Sequence, residues 1–295
     1  MSGPWDKRPP PRSHGTGRPA GPRQPRAPRP AEPRDDARGS AGAQMGAPMG
    51  ARDELRLYGI NAVRAVFERR PEAIRKIYLT EARIPAFKAL LAWCVKQRIG
   101  YRVVAEDDLD RLAASQHHEG IVAEVLKAEP TSAGDWLRTL PAGPALAIWL
   151  DGVGNPHNFG AILRSAAHFG VSAILLPPQG GLALSGAAAR VAEGGAEQVP
   201  LVRLGNTANA IAQLRGAGFS LAATVVRGGD DLFAARLPER LVYVMGAEGE
   251  GMDPQMAAAC DARLSIPGTG AVESLNVASA TAVFLAQWRQ RLARG

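Results

Sequence analysis

From about residue 145 onward the chain alternates short apolar runs with stretches in which apolar residues recur every three or four positions. Ala145–Leu150, Ala173–Leu176, Val199–Val202, Ser220–Val225, Leu241–Met245 and Leu264–Ile266 have strand length and little internal polarity. Runs of that kind suit strands covered on both faces. Helical spacing lies between most of them, notably over Ala161–Phe169 and Asn206–Ala217. The closing segment Leu275–Leu292 places Val277, Thr281, Phe284, Trp288 and Leu292 at spacings of three and four. The alternation predicts a parallel sheet with helices on both faces.

The preceding stretch is patterned differently. Leu57–Phe67 predicts a short helix opened near Gly59 or Asn61, with Val63, Val66 and Phe67 on one face. Ile74–Leu79, Tyr101–Val104 and Ile121–Val125 predict strands. Pro85–Arg98 predicts a helix whose inner face carries Phe87, Leu90, Leu91 and Val95. Together they predict a compact α/β unit over residues 53–126. Lys127–Gly143, broken by Pro130, Gly134, Pro141 and Gly143, predicts a linker with one helical turn at Trp136–Leu137. A large domain over 144–295 follows. Residues 1–52 are rich in Pro, Arg, Gly and Ala and contain one aromatic residue, Trp5. Such a segment buries too little apolar surface to offset its ordering entropy and is expected to be a disordered tail. Internal repeats are not evident.

Composition sharpens this picture in three ways. An apolar fraction of 46% supports a sizeable core, and only 5% aromatic content points to close packing through Ala and Gly. The net charge of +7 favours a polyanionic partner. Nine basic residues against four acidic ones in Met1–Gly50 put +5 of that charge in the tail. The tail reads equally well as an arm for RNA phosphates or as a solubilising extension. Cys94 and Cys260, the two cysteines, cannot form a thiolate-only zinc site and are expected to be reduced. With no signal-peptide pattern and no apolar run near the roughly 20 residues that span a bilayer, a soluble cytoplasmic protein is expected.

Candidate chemistry gathers in three blocks: Asn155 to Arg164, Met245 to Met252, and Ile266 to Val277. Each follows an apolar run and ends in small or polar residues. That is the layout of loops at the carboxyl ends of strands, where open α/β sheets bind ligands. Gly160 is expected to let the backbone turn tightly into a helix, with Arg164 one turn in and aimed back at the loop. A surface arginine fits the same residues. The run Gly246-Ala247-Glu248-Gly249-Glu250-Gly251 is not a dinucleotide fingerprint. Its glycines imply close backbone approach or a tight turn. Ser274 is a candidate N-cap. His157 and His168 lack a carboxylate at ligand spacing, so no metal site is expected. His117 and His118 are expected in a solvated loop, and Trp288 in the core or a subunit contact.

The order and spacing of these blocks resemble the SpoU branch of the SPOUT superfamily, knotted AdoMet-dependent RNA 2′-O-ribose methyltransferases. The resemblance spans about residues 55–295. It implies an α/β fold with a C-terminal trefoil-knotted parallel sheet. It also implies a small N-terminal domain related to ribosomal protein L30e, the resemblance there resting on His118-Glu119-Gly120-Ile121-Val122-Ala123. It further implies a homodimer through the knotted domain, S-adenosyl-L-methionine (AdoMet) as methyl donor without a metal, and tRNA or rRNA as substrate. Residue by residue, the resemblance places Asn158 and Arg164 in the active site, with Arg164 deprotonating the ribose hydroxyl. It sets Glu248 beside Arg164 and adds Ser274 and Asn276 to the catalytic group. Gly246, Ile266, Leu275 and Thr224 are the implied AdoMet-binding residues. Since a guanidinium holds its proton throughout the working pH range, binding a phosphate and stabilising the developing alkoxide suits Arg164 better than proton abstraction. Two departures stand out. Glu119 replaces the usual Gln, so no RNA contact is carried onto it. Ala192-Glu193-Gly194-Gly195-Ala196 stands where many members have Ser-x-Gly-Ala. They keep a second reading open, a catalytically inactive RNA-binding or ribosome-assembly factor on the same fold.

Overall fold

A strand buried on both faces must be apolar at every position, and Ala145–Leu150 is buried throughout. It is the centre of the computed structural model of this chain, which describes residues 54–178, 181–247 and 251–293. The expected disordered tail lies outside the described residues. The chain first forms β1 (Glu54–Tyr58), α1 (Ile60–Arg69), β2 (Ile74–Leu79), α2 (Lys88–Gln97), β3 (Gly100–Val103), α3 (Glu106–Ala113) and β4 (Ile121–Leu126). These make a four-stranded sheet of order β1-β4-β2-β3, antiparallel except for the β2–β3 pair. Leu57, Val63, Val66, Ile77, Leu90 and Cys94 fill one face. Leu109 of α3 packs with Tyr58 and Tyr78 on the other.

Leu57 and Tyr58 form the end of β1, and the helix opens at Ile60, just past Gly59 as predicted, where a φ of +96° suits glycine. Two expectations change in this region. Val95 is 65% exposed and Cys94 takes the inner position. The inner face runs Phe87, Leu90, Leu91, Cys94, the i, i+3, i+4, i+7 spacing of one helical stripe, which leaves Val95 turned away from it. His118 is buried, with Nε2 3.0 Å from Asp110 Oδ1 and Nδ1 accepting from the Gly120 N–H at 2.9 Å. The helix α3 was not anticipated, because only Leu109 among its residues is buried.

The second set of elements is β5 (Thr131–Ser132), α4 (Ala133–Thr139), β6 (Ala145–Asp151), α5 (Pro156–Phe169), β7 (Ala173–Leu176), α6 (Gly186–Ala192) and β8 (Leu201–Arg203). They continue through α7 (Thr207–Gly216), β9 (Ser220–Thr224), β10 (Asp230–Asp231), β11 (Arg240–Gly246), α8 (Pro254–Ala259), β12 (Ala262–Ser265) and α9 (Val277–Leu292). Eight strands form one sheet, ordered β10-β12-β9-β11-β6-β7-β8-β5, and every neighbouring pair is parallel. Residues of α5 and α9 pack with one face of it, Trp288 included, and residues of α4 and α7 with the other. The predicted doubly covered parallel sheet is therefore present. Within 127–143, read as a linker, β5 adds an edge strand and α4 a helix that buries Ala133 and Trp136. Ser132 caps α4 by accepting from the Asp135 N–H, and Trp136 Nε1 donates to the Ser172 carbonyl at 3.2 Å. Among the described residues no helix is long and apolar enough to cross a membrane.

The first block departs most informatively from its reading. Asn155 caps α5, accepting from the N–H groups of His157 and Asn158, and Pro156 occupies the first turn. The helix therefore starts before Gly160, which sits in its interior. There Gly160 permits close packing: a Cβ would lie 2.5 Å from the Ala188 carbonyl oxygen and 2.8 Å from Val191 Cβ of α6. Gly160→Ala is expected to destabilise the fold by about 1–3 kcal/mol through overpacking, despite the higher helix propensity of alanine. Urea denaturation of the two proteins measures this, and a stabilised variant would refute the packing account.

Candidate active site

The strands β12, β9 and β11 are adjacent and parallel, so their carboxyl ends share one edge. Thr224 ends β9 in register with Leu264, and its Oγ1 donates to the Val244 carbonyl at 2.9 Å. Gly246 ends β11. A Cβ there would meet Met252 N at 2.7 Å and Gly251 C at 2.8 Å, so the following loop folds directly back over it. Ala247 and Gly251 close that loop by exchanging backbone hydrogen bonds of 2.8 and 3.1 Å. Ile266 lies two residues past Leu264 and packs partly buried against the core. Thr224, Gly246 and Ile266 thus gather at one edge, with Val226, Val272 and Leu275 as exposed apolar side chains in the loops that leave it. Glu248 lies outside the described residues.

The third block meets the first at a pair of amides. Asn276 caps α9, its Oδ1 accepting from Ala278 and Ser279 N–H at 2.9 and 3.3 Å, while its Nδ2 donates to Asn158 Oδ1 at 3.1 Å. Two helix N-termini therefore converge on the Asn158–Asn276 contact and present positive dipole ends there. The N-cap is Asn276, not Ser274. Ser274 and Leu275 precede the helix in an exposed loop, which leaves Ser274 open to a ligand.

Arg164 is not part of that contact. It stands more than two turns into α5, six residues beyond Asn158 and so on a different face. Among the described residues it makes no hydrogen bond or ion pair. It lines a groove of about 530 Å³ with Asn61, Arg64, His168, Glu193 and Gln198. Another cavity, of about 410 Å³, lies at the amino ends of β9 and β11, away from Thr224 and Gly246.

The groove is bounded by a network that residue-by-residue reading did not find. Arg190 bonds Glu119 Oε1 at 2.6 Å and Glu193 Oε1 at 2.5 Å. Glu193 Oε2 accepts from Asn61 Nδ2 at 2.6 Å, and Glu119 Oε2 accepts from the Ile60 N–H at 2.8 Å. Both glutamates have left-handed backbone, φ +54° and +51°, a costly conformation for residues with a Cβ. The two departures from the SpoU pattern are thus partners of one arginine. That coincidence of two added acids was the available signal. Below it, Arg70 clasps Glu197 with two bonds of 2.6 and 2.8 Å and donates a third to the Leu126 carbonyl.

Burial alone would raise the Glu193 carboxyl, but hydrogen bonds from Asn61 and Arg190 and the charges of Arg190 and Arg164 hold it below its ordinary value. A depressed carboxyl contributes stability that is present above the unfolded-chain value, about 4.3, and is lost as pH falls through the folded value. Acidification below about pH 4.3 is therefore expected to lower the urea midpoint, and Glu193→Gln is expected to flatten that dependence. An equally steep profile in the variant would refute the assignment. Burial pushes both cysteine thiols up to about 11, so neither is a thiolate nucleophile at neutral pH.

Comparisons with known proteins agree with this architecture. Residues 145–286 match the SpoU rRNA Methylase family, and residues 56–131 match the RNA 2′-O ribose methyltransferase substrate-binding domain. The chain is 37% identical over 236 residues to the uncharacterized tRNA/rRNA methyltransferase YfiF of Escherichia coli O157:H7, covering 80% of this chain and 68% of that one. It is 37% identical over 247 residues to the 23S rRNA (guanosine-2′-O-)-methyltransferase RlmB of Vibrio vulnificus, covering 80% of this chain and 97% of that one. The crystal structure of the methyltransferase AviRb from Streptomyces viridochromogenes, in complex with AdoMet, superimposes with a TM-score of 0.69 at 22% identity. That alignment covers 82% of this chain and 92% of AviRb, and it shows a shared fold.

Proposed function

The chain belongs to the SpoU rRNA methylase family, and we propose on that premise that it transfers a methyl group from AdoMet to a ribose 2′-hydroxyl of ribosomal RNA. The observation that carries this is the match over nearly the whole length of a 23S rRNA 2′-O-methyltransferase. Our reading assigns substrate binding to the small domain, 53–126, and chemistry to the large one, 144–295. It also includes a homodimer formed through the large domain, a C-terminal trefoil knot and a cytoplasmic setting.

The strand edge suits AdoMet. Exposed apolar side chains at Val226, Val272 and Leu275 offer a surface for adenine, and the ends of β9, β11 and β12 offer backbone donors and acceptors. Thr224, Gly246, Ile266 and Leu275 would hold the cofactor, which supplies an electrophilic methyl group on a sulfonium. The chain's own contribution is position and charge. Asn158 and Asn276, each fixed by the other and by a helix N-terminus, orient the ribose. Ser274 adds a hydroxyl beside them. Arg164 holds substrate phosphate and stabilises negative charge on the 2′-oxygen as its proton leaves. Glu248 remains a candidate partner for Arg164. Retention of Asn158, Arg164 and Asn276 argues against an inactive assembly factor.

Methyl-labelled AdoMet and rRNA from cells lacking the protein test the reading. A 2′-O-methyl group blocks alkaline cleavage of the adjoining phosphodiester, so label is expected in alkali-resistant dinucleotides. Label in mononucleotides would mean base methylation, and absence of label would favour the inactive factor.

A further inference from the structure

The groove between α1 and α5 holds two guanidinium groups whose donors are almost entirely unused. Arg164 makes no hydrogen bond among the described residues. Arg64 makes one, a marginal 3.5 Å contact with Asn61 Oδ1. Each guanidinium carries five donors in a planar fork that matches a phosphate. Both guanidinium groups line this one groove, that of Arg64 also lying over the Phe87 ring, 6.0 Å from its centroid. The carboxylate beside them is already engaged, because both Glu193 oxygens are taken by Asn61 and Arg190. Glu68 also lines the groove, at an exposed position.

The walls are built to hold this spacing. The segment Glu193–Gly194–Gly195 is wedged between the helices. A Cβ on Gly194 would come within 3.1 Å of Ala65 Cβ, and one on Gly195 within 2.8 Å of the Leu163 carbonyl oxygen and 3.1 Å of Arg164 Cα. With Arg190 bonded to both Glu119 and Glu193, α1 is fixed against the helix that carries Arg164. Such preorganisation lowers the cost of ordering two long side chains around a ligand.

We propose that this groove is a phosphate subsite for the substrate strand, in which Arg64 of the small domain and Arg164 of α5 grip one phosphodiester of the RNA from opposite walls. The proposal rests on the RNA-methyltransferase reading and adds Arg64 to its binding residues. Arg64 thereby sets where the strand lies relative to Arg164.

The test measures binding of the full-length protein to a short fluorescein-labelled single-stranded RNA of mixed sequence, by anisotropy across a range of salt. Arg64→Ala is expected to raise Kd about tenfold and to make the slope of log K against log salt shallower by about 0.7, one phosphate contact on a single strand. Arg64→Lys is expected to keep most of the slope. AdoMet affinity, read by calorimetry, stays at the wild-type level. Unchanged Kd and slope in Arg64→Ala would overturn the proposal. Competition by millimolar inorganic phosphate at constant ionic strength, present in the wild type and lost in Arg64→Ala, would support the subsite, and equal competition in both proteins would count against it. The readout does not require methyl transfer. A wild-type protein that fails to methylate, with the slope still falling in Arg64→Ala, would leave the subsite standing and remove only the enzymatic reading.

Discussion

Replacing Arg164 with alanine is expected to lower methyl transfer by about 10²–10³-fold, with AdoMet affinity unchanged. Removing a preorganised donor from a developing oxyanion has that magnitude because the group acts mainly at the transition state. The structure makes the experiment clean. Arg164 is exposed and forms no hydrogen bond or ion pair among the described residues, so its truncation removes a charge near Glu193 but leaves that carboxylate bonded to Asn61 and Arg190. Arg164→Lys separates two roles. A point charge without the fork is expected to recover part of the rate if the side chain stabilises charge. The kcat of that variant should also show no new ionisation in the working pH range. A lysine variant whose kcat instead rises with pH, following deprotonation of its amine, would favour proton abstraction. An unchanged rate in Arg164→Ala would remove the residue from the active site.

The largest stability effect is expected at Arg70. Its guanidinium and the Glu197 carboxylate are largely withdrawn from water, at 16% and 8% side-chain exposure, and the third donor reaches the Leu126 carbonyl. Deleting one partner of such a pair leaves the other desolvated and unpaired, at a cost of about 3–5 kcal/mol. Arg70→Ala should therefore lower the unfolding free energy by about that amount in urea. The double variant Arg70→Ala with Glu197→Ala should be less destabilised than the single one, because it removes the stranded carboxylate. If the two losses simply add, the pair is not coupled and the ion pair is not what matters.

Much of this was legible because periodicity reports burial. The six apolar runs of the second half overlap strands, since strands covered on both faces are apolar at most positions. What escaped was structure carried by few buried residues. α3 rests on Leu109, and α6 is a short run of small residues. β5 contributes two residues whose strand character comes from pairing with β8, not from their own pattern. At the candidate site the strand-end placement of Gly246 followed from the boundary of its run, whereas Thr224 was implied only by the family resemblance. The Asn158–Asn276 contact spans 118 positions, and nothing local in either segment marks it. Gly160 carries an ambiguous signal, since glycine marks turns and close packing alike and only the neighbour, α6, distinguishes them. Glu119 and Glu193 each looked like an isolated oddity until the fold brought Arg190 between them.

That shared arginine makes the joint between the two halves a matched set of parts. Glu119 lies in the first half of the described chain, and Arg190 and Glu193 in the second. A chimera that imports residues 54–126 from a relative with glutamine at position 119 would remove one of the two carboxylates gripping Arg190. The graft should seat poorly unless 119, 190 and 193 are exchanged together. The two halves are therefore expected to be interchangeable among relatives only as co-adapted cassettes, and hybrids made without that triplet should show loosened RNA affinity before any loss of cofactor binding.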